Sequence, residues 1–167
     1  LRSLRHQRIH QHQVNLAKPK EVARWVEEFS ETYDNLDVLI HNAASMVPQR
    51  VIDEDDIESN FAVNTLAVHL ITTSLLPLLR KSKDPRVITV SNAGMLLVKL
   101  DPHDLNFEDM NPFSGPLSYS QTKRQQIAMN FAYAQRHEGI KFFCMHPGWV
   151  DTPGLQNTLP DIYELVG

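Results

Sequence analysis

Glycine is missing from the first 93 residues; the six glycines of this 167-residue chain begin at Gly94. A phosphate-cradling loop needs glycines where backbone turns tightly against the phosphates, so neither a G-x-G-x-x-G fingerprint nor a P-loop lies in that half. Cysteine occurs once, as Cys144, which excludes an internal disulfide and a cysteine-based zinc knuckle and favours a reducing compartment such as the cytoplasm. It reads as a small buried apolar residue. Excess positive charge is also missing: the net charge is -4, so neither nucleic acid nor an anionic membrane is an expected partner. Arg2, Arg5, Arg8, Lys18 and Lys20, which precede the first acid, Glu21, read as a solvated edge. There is no initiating Met and no charged-then-apolar leader, so the chain is expected to be a piece of a longer protein whose localisation signals lie elsewhere. Charge is absent from Phe61 to Leu79, yet Asn64, Thr65, His69, Thr72, Thr73, Ser74 and Pro77 make that stretch too polar to face hydrocarbon. It reads as a core helix, and no membrane span is expected.

What is present is the composition of one globular domain over residues 1–167, with 42% hydrophobic and 22% charged residues. Residues 8–16 alternate Ile9, Val14 and Leu16 with polar neighbours and predict a short strand. Lys18 to Tyr33, with Pro19 early and Val22, Trp25, Val26 and Phe29 on one stripe, predicts an amphipathic helix. Leu36 to His41 is the apolar run of a doubly buried strand. Asp53 to Arg80 predicts an interrupted helix with an acidic start, where the dipole favours negative charge. Arg86 to Ser91 is β-branched and predicts a second buried strand. A proline-rich loop over 101–117, a helix from Ser118 to His137, a strand from Ile140 to His146 and a short helix at 160–166 follow. Alternating strands and helices of this kind imply right-handed crossovers and an α/β fold: an open parallel sheet covered by helices on both faces.

Ligands of open parallel sheets bind beyond the carboxyl ends of the strands. Three predicted strand ends carry small residues that let a flat ligand approach the backbone: Asn42-Ala43-Ala44, Ser91-Asn92-Ala93-Gly94, and Pro147-Gly148-Trp149-Val150-Asp151-Thr152. Tyr119 and Lys123 are four apart on one helix face. An ammonium held beside a phenol favours the phenolate, so Tyr119 is a candidate acid/base with its pKa expected to be lowered. A metal site from His6, His10 and His12 is not expected: the first pair shares a helix face and the second a strand face, and one segment cannot be both.

In chain order these motifs resemble the short-chain dehydrogenase/reductase family. The matching residues are Asn42-Ala43-Ala44, Asn64 in NFAVNTLAVHLITTSLLPLL, RVITVSNAG, Tyr119-Ser120-Gln121-Thr122-Lys123, and Pro147 to Thr152. The resemblance implies a partial Rossmann-like, doubly wound fold lacking its first β-α-β unit. It implies hydride transfer between a nicotinamide cofactor, NAD or NADP with NADP slightly favoured, and a small-molecule alcohol or carbonyl. Tyr119 would move the proton, Lys123 would hold the nicotinamide ribose, and Asn64 would hold a water linking Lys123 to solvent. Either Ser91 or Asn92 would bind the substrate oxygen. Asn15, where the family usually has an adenine-binding Asp, would with Leu16, Asn42, Ala43 and Ala44 line the adenosine side. Pro147, Gly148, Trp149, Val150 and Thr152 would line the nicotinamide side. Relatives often dimerise through the two long helices, so a homodimer is an expectation too. A second reading keeps the scaffold but not the catalysis: a binding or regulatory module of the same family.

Overall fold

Short apolar strands separated by helices pair in parallel, and the computed structural model, which describes residues 8–148, has that arrangement. The elements are α1 (Pro19–Thr32), β1 (Val38–His41), α2 (Ser59–Phe61), a π-helical turn (Ala62–Leu66), α3 (Ala67–Leu79), β2 (Arg86–Val90), a 3₁₀ helix (Ala93–Leu97), α4 (Gly115–Arg136) and β3 (Lys141–Met145). The sheet order is β1-β2-β3, both pairs parallel, and Ile40, Ile88 and Phe143 share one row. All three strands therefore end on the same edge, where Asn42, Ser91 and Pro147 follow.

Alternation along the strands sorts the side chains. Leu39, Val87 and Phe142 pack with Leu76, Leu79 and Ile140, while α1 and α3 bury Val22, Val26, Ala67, Ile71, Leu75 and Leu78 against each other. Each fully buried aliphatic side chain of this core contributes roughly 1.5–3 kcal/mol. Coverage by helices is one-sided among the described residues: α1, α3 and α4 share a face, and the other presents Ile40, 57% exposed, with Phe143 and Met145. Cys144 is exposed, not buried. β1 and β3 are the edge strands of the described sheet, each with a neighbour on one side alone.

Several boundaries differ from expectation for physical reasons. Residues 8–15 form no strand, because an alternating pattern alone cannot satisfy backbone N–H and C=O groups and no described strand pairs with them. Their side chains are used all the same: Val14 and Leu16 pack on the α1–α3 core, and the His12 ring stands edge-on to Trp25 and Phe29. The second long helix starts at Ser59, not Asp53. The Asp53 carboxylate accepts from Asp55 N and Ile57 N and closes a turn there, and Glu58 becomes the cap, accepting from Phe61 N at 2.8 Å. The expected interruption is the π turn. α4 begins three residues early, capped by Ser114 with Pro116 in its first turn. Gly115 is required there, since a Cβ would collide with Val47 O. The helix expected at 160–166 lies outside the described residues.

His41 pins β1 to α3 through a 2.8 Å hydrogen bond between its Nε2 and Thr72 Oγ1. Burial, helped by the positive charge of Lys123, pushes its pKa down to about 4 from 6.5. The folded state refuses a proton that the unfolded chain accepts, so this stabilisation is complete above pH 6.5 and is lost as pH falls to about 4. The total is about 3 kcal/mol if the shift is fully expressed. Thermal melts of the wild type should drop across that window, and His41→Asn should flatten the dependence; an unchanged slope would contradict the assignment.

Candidate active site

Parallel pairing gathers the predicted ligand-facing residues at one sheet edge. Asn42, Ala43 and Ala44 are exposed where the chain leaves β1, Ser91 and Asn92 leave β2, and Pro147 and Gly148 leave β3. Gly148 has φ +85°, a left-handed conformation that glycine adopts without a Cβ penalty. Trp149, Val150 and Thr152 lie outside the described residues. Asn15 and Leu16 do other work: Asn15 Oδ1 accepts from Ala17 N to shape the turn into α1, and Leu16 packs on the core.

α4 crosses behind the end of β2 and is tied to it. Lys123 Nζ donates to Val90 O at 2.8 Å, and Ser91 Oγ reaches Lys123 O at 3.5 Å. The ammonium lies 5.4 Å from the centroid of the Tyr119 ring. Lys123 thus links the end of β2 to the face of the Tyr119 ring. Asn92 turns its Oδ1 to Gly94 N, capping the 3₁₀ helix at 2.6 Å, which leaves its NH₂ as the group free to donate. Ser91 is buried, on the helix-facing side of the sheet. A cavity of about 270 Å³ opens between Ser91–Asn92, Ile127 and Cys144–His146. A larger one, about 360 Å³, lies between the 98–101 segment and Leu117 and Gln121, and neither Tyr119 nor Lys123 lines it.

Asn64 sits in the π turn, fully buried. Its Oδ1 accepts from Ser45 N at 2.8 Å, and its Nδ2 donates to Ser45 O at 2.7 Å and Thr122 Oγ1 at 3.0 Å. Its carbonyl accepts from Gln126 Nε2 at 2.5 Å. These bonds give Asn64 a framework role, joining the loop after β1 to α4. Asn60, Ser118, Thr122 and Gln126 share that work and were not singled out from sequence. The available signal was the matched spacing of Asn60 and Asn64 against Ser118 and Thr122.

The electrostatics differ from the expected pairing. Burial pushes Lys123 down to about 8 and pushes Tyr119 up. The ammonium is drawn to the Val90 carbonyl and the ring face, and burial is what raises the phenol. Lys123 is 2% exposed, and among the described residues Val90 O is its sole hydrogen-bond acceptor, so two N–H groups remain to hold an oxygen-rich ligand.

Burying that charge costs stability at neutral pH, and the cost is relieved as pH rises from about 8 towards 10.5, where the unfolded chain also loses its proton. Lys123→Met should therefore raise stability at pH 7 by about 1–2 kcal/mol, the lost bond to Val90 O offsetting part of the gain. Urea melts at pH 7 and pH 10 check this: a variant less stable at both would overturn it.

A sequence model described as short chain dehydrogenase matches residues 1–99. The chain is 46% identical over 167 residues to human dehydrogenase/reductase SDR family member 12, covering all of this chain and 52% of that protein; it spans about half the length of the curated relatives it matches most fully. A short chain dehydrogenase from Salmonella enterica serovar Typhi CT18 superposes with TM-score 0.72 at 18% identity, over 95% of this chain and 62% of that one. A chain from Escherichia coli CFT073, crystallised with NADPH, gives TM-score 0.66 at 18% identity, over 88% and 58% respectively. The fold is theirs, and the chain belongs to the short chain dehydrogenase family.

Proposed function

We propose that this chain carries the acid–base end of an oxidoreductase site, within an incomplete NAD(P)-binding domain over residues 1–167, that interconverts a small alcohol and carbonyl with NAD or NADP. One observation carries the reading: a buried ammonium with two uncommitted donors, beside Tyr119, at the carboxyl edge of a parallel sheet. The residues fit the nicotinamide ribose, whose hydroxyls can accept from Lys123. No glycine precedes Gly94, so residues 1–93 hold no glycine-rich loop for the pyrophosphate.

When bound, the nicotinamide supplies or accepts the hydride at the carbonyl carbon. Tyr119 gives its hydroxyl proton to the carbonyl oxygen in reduction and takes it back in oxidation. Lys123 stabilises the phenolate left behind while holding the ribose. The Asn92 NH₂ donates to the substrate oxygen, where negative charge develops; Ser91, turned to Lys123 O, fixes the strand end. Asn64 acts by positioning. Asn42, Ala43 and Ala44 offer exposed backbone for the adenosine side, and Pro147 and Gly148 for the nicotinamide side.

A second reading has its own support. Ser91 is buried and turned to Lys123 O, which leaves an amide, Asn92, at the strand end; together with the glycine-free first half this favours a binding or regulatory module. Cofactor titration separates the two. We expect weak binding of NADPH or NADH, followed by cofactor fluorescence, to the 167-residue chain. Tight binding and carbonyl reduction are expected from a fusion adding a glycine-rich strand-turn-helix unit before Leu1. Tyr119→Phe in that fusion should lower turnover at least a hundredfold. Binding without turnover would favour the module, and turnover insensitive to Tyr119→Phe would overturn the catalytic assignment.

A further inference from the structure

Two asparagines one turn apart share a pattern of bonds, Asn64 making a further one to Ser45 O. Asn64 Oδ1 accepts from Ser45 N, and its Nδ2 donates to Thr122 Oγ1, which in turn donates to Tyr119 O at 2.8 Å. Asn60 Oδ1 accepts from Val47 N at 3.1 Å, and its Nδ2 donates to Ser118 Oγ at 2.8 Å, which in turn donates to Gly115 O at 3.0 Å. Each rung runs from the loop after β1, through the buried helix, to a hydroxyl of α4 and then to a backbone carbonyl three residues earlier. The residues reached on α4, Ser118 and Thr122, bracket Tyr119 in sequence.

We propose that Asn60 is a second positioning residue, and that the two rungs together fix the direction of the first turns of α4 and so the place of the Tyr119 hydroxyl. From Thr122 onward α4 is also held at Lys123, Gln125 and Gln126. The Asn60–Ser118 rung ties the turn before Tyr119, and Gly115 lets the Val47 backbone close against the helix start where that rung ends. Asn60 and Ser118 are both fully buried, so neither bond is diluted by solvent. Asn60 touches no reacting atom; it acts through Ser118. The inference rests on the proposed role of Tyr119.

The test places 3-fluorotyrosine at position 119 of the 167-residue chain and follows its ¹⁹F resonance and pH midpoint in wild type, Asn60→Ala, Ser118→Ala and the double variant. Val22→Ala, far off in the α1–α3 core, is the control for lost stability. The expected result is a moved or broadened resonance and a changed midpoint in both single variants, with no further change in the double variant and none in Val22→Ala. In the extended fusion, Asn60→Ala should lower kcat about tenfold or more with KM within about twofold. A wild-type resonance in both Asn60→Ala and Ser118→Ala, or an equal shift in Val22→Ala, would overturn the proposal. Loss of the oxidoreductase reading would appear separately, as a fusion without turnover, and would leave the resonance test intact.

Discussion

The inward face of α4 is polar. Apart from Gly115 and Tyr133, its buried residues are Ser118, Thr122, Lys123, Gln125, Gln126 and Asn130, and not one is aliphatic. The helix packed against it answers with hydrogen-bonding groups: Asn60 for Ser118, Asn64 for Thr122, Thr65 for Gln125, the Asn64 carbonyl for Gln126, and His69 for Tyr133. Burying polar groups is costly unless each is matched, and a matched set admits one register because a slip would orphan several at once. The matching is incomplete, since Gln125 Nε2, Gln126 Oε1 and Asn130 Oδ1 find no partner among the described residues. The seam therefore contributes more to uniqueness of placement than to net stability, whereas α1 and α3 are held by ordinary apolar burial.

That division of labour bears on function. A helix carrying Tyr119 and Lys123 has to be placed to within a fraction of an ångström if it is to move a proton, and directional bonds do this better than interchangeable methyl groups. The same seam creates the environment of Lys123. With Val90 O as its partner and solvent excluded, the ammonium is pushed down to about 8, and the charge burial that does so weakens the fold. Stability given up at the site is a common accompaniment of function.

Much of this was legible in the sequence. β1, β2 and β3 announce themselves as β-branched or apolar runs, the alternation implies parallel pairing, and Tyr119 and Lys123 stand out by spacing. Residues 8–16 read as a strand and are not one, because alternation reports a tendency, while a strand exists through its neighbour. Cys144 reads as buried and is exposed, because residue type says nothing about edge position. The start at Ser59 was hidden by four consecutive acids that resemble a helix entry but close a turn around the Asp53 carboxylate. The seam on α4 was invisible to hydrophobic periodicity, which looks for apolar stripes. The repeated Asn and Ser/Thr spacing was there to be read, but nothing local says that those side chains face each other across 58 residues.

The burial of Lys123 within this polar seam is the point on which the account turns. Selective ¹³C labelling of the lysine ε-carbons, with Lys123→Arg to assign the signal, gives its titration directly. The account predicts a midpoint near 8. A midpoint near 10.5, the ordinary value for lysine, would mean that the ammonium is solvated and that the seam is not closed.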